Sequence, residues 1–189
     1  MSLVKRSFYA RDTVQVAQDL LGKILVRDIG GNRVSGIISE TEAYRYKDDP
    51  ASHSFGGMTE RNKAMFGTVG KAYVYFTYGM HYCVNAVAHS DDYPAGAVLI
   101  RSLVPQNGID FMSKKRNTSD ISNLTNGPAK LTQAFQITKK EYGEDLTKRS
   151  TLYVTEGLKI KKSEIVSSPR IGIKKATDKL WNFKIIEFS

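Results

Sequence analysis

The strongest constraint on the fold is a hairpin pattern close to the N-terminus. Residues 23–29 alternate like a strand, Gly30-Gly31-Asn32 has the composition of a tight turn, and the chain from about Arg33 to Tyr44 returns as a second strand. Glycine and asparagine readily adopt the left-handed backbone that short hairpin turns require. The pattern therefore predicts an antiparallel pair of strands at the start of the fold.

The rest of the chain combines further strand patterns with two helical ones. Asp12-Thr13 precedes an amphipathic segment that Gly22 ends, and Asn126-Gly127-Pro128 precedes another that runs to Phe135. Strand alternation recurs at residues 71–78, 82–88 and 97–103, and short strands are expected in the C-terminal part. Because strands outnumber helices, the sequence predicts an α+β fold around a curved, mostly antiparallel β-sheet with flanking helices. Residues 1–189 contain no repeat or Pro/Ser-rich linker and are expected to form a single compact domain.

The chain is basic, with 28 Lys and Arg against 19 Asp and Glu and a formal net charge of +9. This balance favours nucleic acid or an anionic membrane as partner. No run approaches the roughly 18 apolar residues of a membrane span, so none is expected. The single cysteine, Cys83, fits a reducing compartment, and one Cys with three His gives no zinc signature. We expect a cytoplasmic protein without a metal or other cofactor.

Acidic side chains end the second predicted strand. Glu40, Glu42 and Tyr44 occupy alternate positions and therefore share one face, roughly 7 Å from one to the next. A carboxylate on such a face can act as a general base toward water, although surface glutamates on an edge strand would give the same pattern. Arg101 follows the apolar run 97–100. A buried arginine needs a carboxylate partner, and Glu42 is the natural candidate.

Large flat side chains accompany these carboxylates. Tyr73 and Tyr75 share a strand face, and His53 lies in the long polar loop that follows Tyr44. Tyr78 stands at a turn tip, where a ring can wedge between stacked bases. Carboxylate, rings and positive charge together indicate hydrolytic chemistry on a nucleobase.

Three alternatives remain open at this point. Glu40 and Glu42 can form the carboxylate pair of a glycoside hydrolase, although neutral sugars need no basic surface. The tyrosines can instead stack bases in a non-catalytic nucleic-acid-binding module, with the glutamates as structural groups. An RNA-directed or formyl-carrier-type domain that shares the sheet architecture is the third.

Motifs along nearly the whole chain resemble the alkyladenine (3-methyladenine) DNA glycosylase family, the type without a helix-hairpin-helix motif. They are Glu40-Thr41-Glu42-Ala43-Tyr44, Ala51-Ser52-His53-Ser54, Arg61-Asn62-Lys63-Ala64-Met65-Phe66, Tyr73-Val74-Tyr75-Phe76-Thr77-Tyr78-Gly79-Met80, Asn85, Ala97-Val98-Leu99-Ile100-Arg101, Asn126-Gly127-Pro128-Ala129-Lys130-Leu131 and Pro169-Arg170-Ile171-Gly172-Ile173. The resemblance implies a monomeric, monofunctional glycosylase of base excision repair. Such an enzyme flips alkylated or deaminated purines out of double-stranded DNA and hydrolyses the N-glycosidic bond with water, without lyase chemistry. The implied lesions are 3-methyladenine and 7-methylguanine, with hypoxanthine and ethenoadenine as further candidates.

The resemblance also implies catalytic roles. Glu42 matches the family's general base. Arg101 and a backbone carbonyl within Ile171-Gly172-Ile173 would help to hold the attacking water. These assignments agree with the general base and the arginine partner expected from the residues themselves.

Roles in DNA binding are implied in the same way. Tyr44, His53 and Tyr75 match the walls of the base pocket, and Asn85 matches a side chain that obstructs the exocyclic amine of normal guanine. Tyr78 matches the residue that intercalates into the gap left by the flipped base, with Met80 beside it. Independently of the resemblance, the basic residues expected in loops are candidate phosphate contacts: Arg61, Lys63, Lys114, Lys115, Arg116, Lys174 and Lys175. Thr59 and Lys130 are further candidates.

Overall fold

The computed structural model describes residues 1–77 and 79–188, and one curled antiparallel sheet dominates them. Its strands are β1 (Ile24–Ile29), β2 (Asn32–Arg45), β3 (Ala72–Thr77), β4 (His81–Val87), β5 (Gly96–Asn107), β6 (Leu152–Thr155), β7 (Ile165–Ser168) and β8 (Asn182–Ile185). The α-helices of the same described residues are α1 (Arg6–Tyr9), α2 (Thr13–Leu20), α3 (Ile109–Arg116) and α4 (Pro128–Ala134). The predicted α+β class, with a curved antiparallel sheet and flanking helices, is confirmed.

Strand β2 is the centre of the sheet. The strand order is β3-β4-β5-β2-β1-β6, and β8 also pairs with β2 and with β7. One edge of β2 pairs with β5, whereas its other edge pairs with β1 in the first half and with β8 in the second. The half of β2 that holds Glu40 and Glu42 therefore lies between β5 and β8.

Helix α2 determines which face of β2 is available for a site. The side chain of Asp12 caps its first turn, as the sequence predicts, and the apolar face of the helix packs into the main core. The hydroxyl of Thr41 on β2 donates to the Ala17 carbonyl of the helix at 2.8 Å. Because successive strand residues point to opposite faces, Glu40 and Glu42 lie on the face away from α2.

Helix α3 was not predicted from the sequence. Lys114, Lys115 and Arg116 were expected in a loop, and this prediction was wrong because they form the last turn of α3. The helix starts after Gly108, which has a left-handed backbone, and of its residues only Met112 is fully buried, so its apolar periodicity is weak. Across the described part of the chain, no helix is long and apolar enough to cross a membrane.

The strand register aligns one row of side chains across the sheet. Tyr73 pairs with Asn85, Asn85 with Leu99, Leu99 with Glu42, and Glu42 with Asn182. Directly paired residues of antiparallel strands have neighbouring side chains on the same face. The row therefore brings residues of β3, β4, β5, β2 and β8 to one surface.

An irregularity in the sheet aims Arg101 at this row. Glu40 pairs with Ser102 and Thr41 with Ile100, so Arg101 is an extra residue on β5. Such a β-bulge bends the strand and redirects a side chain. As a result, the guanidinium of Arg101 contacts both Glu40 and Glu42.

Candidate active site

A cavity of about 430 Å³ opens on the sheet face that carries this row. Its volume is within the range of roughly 300–1,000 Å³ that is typical of small-molecule sites. The residues that line it come from β2, β3, β4, β5 and several loops: Tyr44, Pro50, Ala51, His53, Arg61, Met65, Tyr73, Tyr75, Thr77, Cys83, Asn85, Leu99, Arg101, Pro128, Ile171, Gly172, Ile173, Lys174 and Lys175. The cavity therefore assembles the residues predicted for the base pocket together with Arg101 and residues 171–173.

Glu42 lies directly behind the cavity wall and is 0% exposed. Its Oε1 accepts hydrogen bonds from the Ile171 N–H at 2.7 Å and from Asn182 Nδ2 at 3.0 Å. Its Oε2 accepts from the Tyr44 hydroxyl at 2.7 Å and from Arg101 Nη1 at 3.4 Å. A buried carboxylate needs donors of this kind, and these four fix its orientation. Three of the four donor residues line the cavity themselves.

Glu40 shares the partners of Glu42. Arg101 Nε lies 3.0 Å from Glu40 Oε1, which is closer than the contact of Arg101 to Glu42. Asn182 Nδ2 donates to Glu40 Oε1 at 2.7 Å, and the Lys184 ammonium lies 3.5 Å from the same oxygen. The predicted pairing of Arg101 with Glu42 is present, but one arginine and one amide bridge two carboxylates.

Tyr44 connects this carboxylate to the cavity. Burial, together with the charge and the hydrogen bond of Glu42, raises the pKa of Tyr44 far above its ordinary value. The phenol therefore stays protonated and can only donate to Glu42. The Arg170 guanidinium lies 4.7 Å from the centroid of the Tyr44 ring.

Three further rings, those of His53, Tyr73 and Tyr75, line the cavity. The His53 ring meets Tyr75 edge to face, with centroids 4.8 Å apart, and His53 Nδ1 lies 3.0 Å from the Tyr73 hydroxyl. Burial raises the pKa of Tyr73 to about 12. His53 lines the cavity and is only partly covered, yet burial of part of its ring and the charge of Arg61 lower its pKa. At neutral pH the imidazole is therefore neutral and offers one donor and one acceptor.

Asn85 is buried in the cavity floor, where its Nδ2 donates to the Tyr73 carbonyl at 2.9 Å. Ile171, Gly172 and Ile173 form part of the wall, and Gly172 has a left-handed φ of 76° that favours glycine. The contact from this segment to Glu42 is made by the Ile171 N–H, whereas the resemblance implied a carbonyl that holds water.

The predicted phosphate contacts lie in different surroundings. Arg61 lines the cavity, with its guanidinium 5.7 Å from the Tyr75 ring centroid. Lys63 is exposed and pairs with a neighbouring glutamate, whereas the Lys130 ammonium donates to two asparagine side chains. Thr59 is exposed and begins the turn that leads to Arg61.

The predicted intercalating turn is described only in part. Tyr78 lies outside the described residues. Met80 follows in the turn between β3 and β4, where its side chain is 69% exposed and its N–H donates to the Thr77 carbonyl. An exposed apolar side chain at such a tip is available for contact with a partner.

Sequence reasoning missed Asn182, Asp49 and Arg170, all of which are buried at the site. Asn182 gives a weak signal, since a polar residue between Trp181 and Phe183 points to the opposite strand face. For Asp49 and Arg170, no local pattern indicates that residues so far apart in sequence form an ion pair.

Within residues 1–77 and 79–188, no group of three His, Cys, Asp or Glu side chains comes together as a metal ion would require. What the arrangement offers is a carboxylate held by four donors, a cationic guanidinium beside it and a ring-lined space. Chemically, these groups can accept a proton from water and hold a flat ligand.

Residues 7–187 match the family model described as methylpurine-DNA glycosylase. A relative from Carboxydothermus hydrogenoformans is 48% identical over 96% of this chain and 94% of its own. Relatives from Clostridium acetobutylicum and Prosthecochloris aestuarii are 45% and 47% identical, over 95% and 96% of this chain and 92% and 86% of their own. Each carries the name "Putative 3-methyladenine DNA glycosylase". With nearly the whole chain matched at this identity, the protein belongs to the methylpurine-DNA glycosylase family.

Proposed function

We propose that this protein is a monofunctional DNA glycosylase that removes alkylated or deaminated purines from double-stranded DNA. The observation that carries the proposal is the buried Glu42 directly behind a cavity of about 430 Å³ with aromatic walls. Membership of the family and the names of the relatives support a methylated purine such as 3-methyladenine as substrate. 7-Methylguanine, hypoxanthine and ethenoadenine are proposed as further substrates.

In the proposed reaction, Glu42 accepts a proton from a water whose oxygen attacks C1′ of the damaged nucleotide. The new C1′–O bond forms as the bond from C1′ to the purine nitrogen breaks, and the electron pair of that bond leaves with the base. A purine methylated at N3 or N7 is cationic in DNA, so it departs as a neutral molecule. Hypoxanthine and ethenoadenine are neutral in DNA, so each takes up a proton from the solvent as it departs. The products are the free base and an abasic site. Because the sugar forms no bond to the protein, the strand is not cleaved.

We propose that the attacking water binds beside Arg101. The contact of Arg101 Nη1 with Glu42 Oε2 is 3.4 Å, the longest of the four, and Arg101 lines the cavity. A water there would accept from Arg101 and donate to Glu42. The negative charge of Glu42 would also stabilise the oxocarbenium-like sugar in the transition state.

The rings would hold the flipped base. Tyr44, His53 and Tyr75 present flat faces or edges to the cavity, and stacking on aromatic side chains contributes about 1–3 kcal/mol per base. A cationic methylpurine gains further attraction from electron-rich rings. Asn85 would exclude the exocyclic amine of normal guanine.

The outer surface would bind the duplex. We propose that Tyr78 and Met80 enter the gap that the flipped nucleotide leaves, and that Thr59, Arg61, Lys63 and Lys130 contact phosphates. The net charge of +9 supports attraction to DNA. The protein would act as a single-domain monomer without a cofactor, in the cytoplasm, and would associate with the nucleoid if its source is bacterial.

The test is single-turnover base release from a duplex with one hypoxanthine and from methylated DNA. Wild type is compared with Glu42→Gln and with Glu40→Gln, a matched control on the same strand face that shares Arg101 and Asn182. We expect wild type to release a base and to leave an abasic site that breaks only with alkali. Glu42→Gln should abolish release while lesion binding persists, whereas Glu40→Gln should retain measurable release.

Other outcomes would change the proposal. Release of methylpurines without hypoxanthine would narrow the substrates to cationic lesions. Near-wild-type release by Glu42→Gln would remove Glu42 as the base. Binding to DNA with no release by wild type would favour a non-catalytic module that stacks bases on its tyrosines.

A further inference from the structure

A buried ion pair lies behind the site and takes no part in the proposed reaction. Arg170 and Asp49 have side chains that are 0% exposed, and both Nη atoms of Arg170 donate to the Asp49 carboxylate, Nη2 to Oδ1 at 2.7 Å. Arg170 Nη1 also donates to the Ala43 carbonyl at 2.8 Å. A two-pronged contact between a guanidinium and a carboxylate fixes direction as well as distance.

The pair joins three segments that carry site residues. Asp49 accepts from the Arg45 N–H at the end of β2 and from the Ala51 N–H in the loop that leads to His53. Asp49 also binds Arg170, and the residue after Arg170, Ile171, donates its N–H to Glu42. Removing the pair would therefore loosen all three segments where they meet.

Arg170 also supports a wall of the cavity. Its guanidinium lies 4.7 Å from the Tyr44 ring centroid and 5.2 Å from that of Trp181. Arg45 continues the stack, 4.8 Å from Trp181 and 3.7 Å from Tyr93. Rings and guanidinium groups thus alternate from the surface to Tyr44, whose hydroxyl donates to Glu42.

We infer that Arg170 and Asp49 are positioning residues for base excision: they hold the Ile171 N–H and the Tyr44 ring against Glu42. The inference rests on the proposed function. Neither residue lines the cavity. Both act through the Ile171 N–H and the Tyr44 hydroxyl, which are two of the four donors to Glu42. A displacement of about 1 Å in such a site can slow the reaction by about 100-fold.

The chain offers a matched control for the structural cost of losing such a pair. Arg27 on β1 donates to Glu141 at 2.6 Å, and their side chains are 6% and 7% exposed. A second arm of Arg27 donates to the Thr151 carbonyl. Arg27 therefore has the same kinds of partner as Arg170, but none of its contacts is a cavity residue.

The experiment compares wild type, Arg170→Gln, Arg170→Lys, Asp49→Asn and Arg27→Gln. Single-turnover release of hypoxanthine or methylpurine is measured with saturating protein, alongside lesion-duplex affinity and the melting temperature. We expect Arg170→Gln and Asp49→Asn to slow release by about 10- to 100-fold while affinity changes less than about threefold.

Arg170→Lys keeps a positive charge for Asp49 but lacks the planar fork, so it should recover melting temperature more than rate. It also serves as the test if Arg170→Gln does not fold. Arg27→Gln should lower the melting temperature and leave the rate per folded molecule unchanged. Equal rates in wild type and both Arg170 variants, or equal losses in Arg170→Gln and Arg27→Gln, would overturn the positioning role alone. A wild-type protein that releases no base would overturn the proposed function and this inference with it.

Discussion

The two ends of the sheet contain similar buried groups, but only the end formed by β3, β4 and β5, the pocket end, contributes strands to the candidate site. At the end formed by β1 and β6, Arg27 pairs with Glu141, and the Tyr153 hydroxyl approaches Asp28. Tyr153 lines a cavity of about 160 Å³ and Asp28 lines one of about 450 Å³, whereas the cavity of the candidate site at the opposite end has about 430 Å³. Burial, ion pairing and cavity volume are thus common to both ends and do not by themselves mark a site.

The carboxylates at the two ends differ in where their donors come from. Glu141 accepts from Arg27 and from the backbone and hydroxyl of Thr138, so half of its environment is a local helix cap. Glu42 accepts from donors on β2, β5, β8 and the segment after β7. Convergence of distant segments on one carboxylate behind a ring-lined cavity is the feature that distinguishes the candidate site.

The largest expected contrast is between Glu42→Gln and Glu141→Gln. We expect Glu42→Gln to abolish measurable release, which corresponds to a fall in the single-turnover rate of about 100- to 10,000-fold, because a general base is lost. Its melting temperature should change little, since Arg101 keeps Glu40 as a partner. Glu141→Gln leaves Arg27 buried without its charge partner and should cost about 3 kcal/mol of stability. Calorimetry and excision assays on both variants check this prediction. If each variant lost both stability and rate, the functional role of Glu42 would not differ from the structural role of Glu141.

The tyrosines give a smaller contrast. Tyr44→Phe removes a 2.7 Å hydrogen bond to Glu42, and we expect the rate to fall about 10- to 100-fold, since a hydrogen bond to a charged group contributes about 1.5–3 kcal/mol. Tyr153→Phe removes a 3.4 Å contact with Asp28 and should leave the rate unchanged. Both variants keep the aromatic ring, so stacking is preserved. Equal rates for the two would mean that the Tyr44 hydroxyl does not orient Glu42.

Much of the pocket end could be predicted from local sequence. The two-residue period of a strand places Glu40, Glu42 and Tyr44 on one face, and the same rule joins Tyr73 and Tyr75. The observed strands β1 to β5 lie close to their predicted positions because alternation and turn residues are local signals. These elements required no knowledge of tertiary contacts.

The groups that orient Glu42 could not be predicted in this way. Asn182 reaches it from β8, and Arg170 pairs with Asp49 across the fold. Arg101 reaches both glutamates because of a bulge, which is a property of strand pairing and not of composition. Contacts between segments far apart in sequence follow from how the sheet closes, and no local pattern encodes them.

His53 makes the pocket end sensitive to pH. Partial burial and Arg61 lower the pKa of His53, so the unfolded chain, with a histidine near its ordinary value, binds a proton first as the pH falls. Stability is therefore expected to decrease with falling pH below about 6.5, until the folded-state pKa is passed. His53→Gln should reduce this decrease, whereas His89→Gln, with a ring contact to the Gly67 carbonyl away from the cavity, provides the comparison. The test is the melting temperature of wild type, His53→Gln and His89→Gln, measured from neutral pH to below about 6.5. The same pH dependence in wild type and His53→Gln would contradict the expectation.

The smallest expected contrast concerns two exposed arginines that lie over strand tyrosines. The Arg61 guanidinium is 5.7 Å from the Tyr75 ring centroid at the cavity, and that of Arg149 is 6.0 Å from Tyr153 at the other end. If the cavity end faces DNA, Arg61→Gln should reduce the slope of log affinity against log salt by about 1, the value for one lost phosphate contact. Arg149→Gln removes the same charge and should leave the slope unchanged, because its end of the sheet would not touch the duplex. Measuring lesion-duplex affinity over a series of salt concentrations separates the cases: equal reductions would mean that net charge alone, and not the position of Arg61, accounts for the effect.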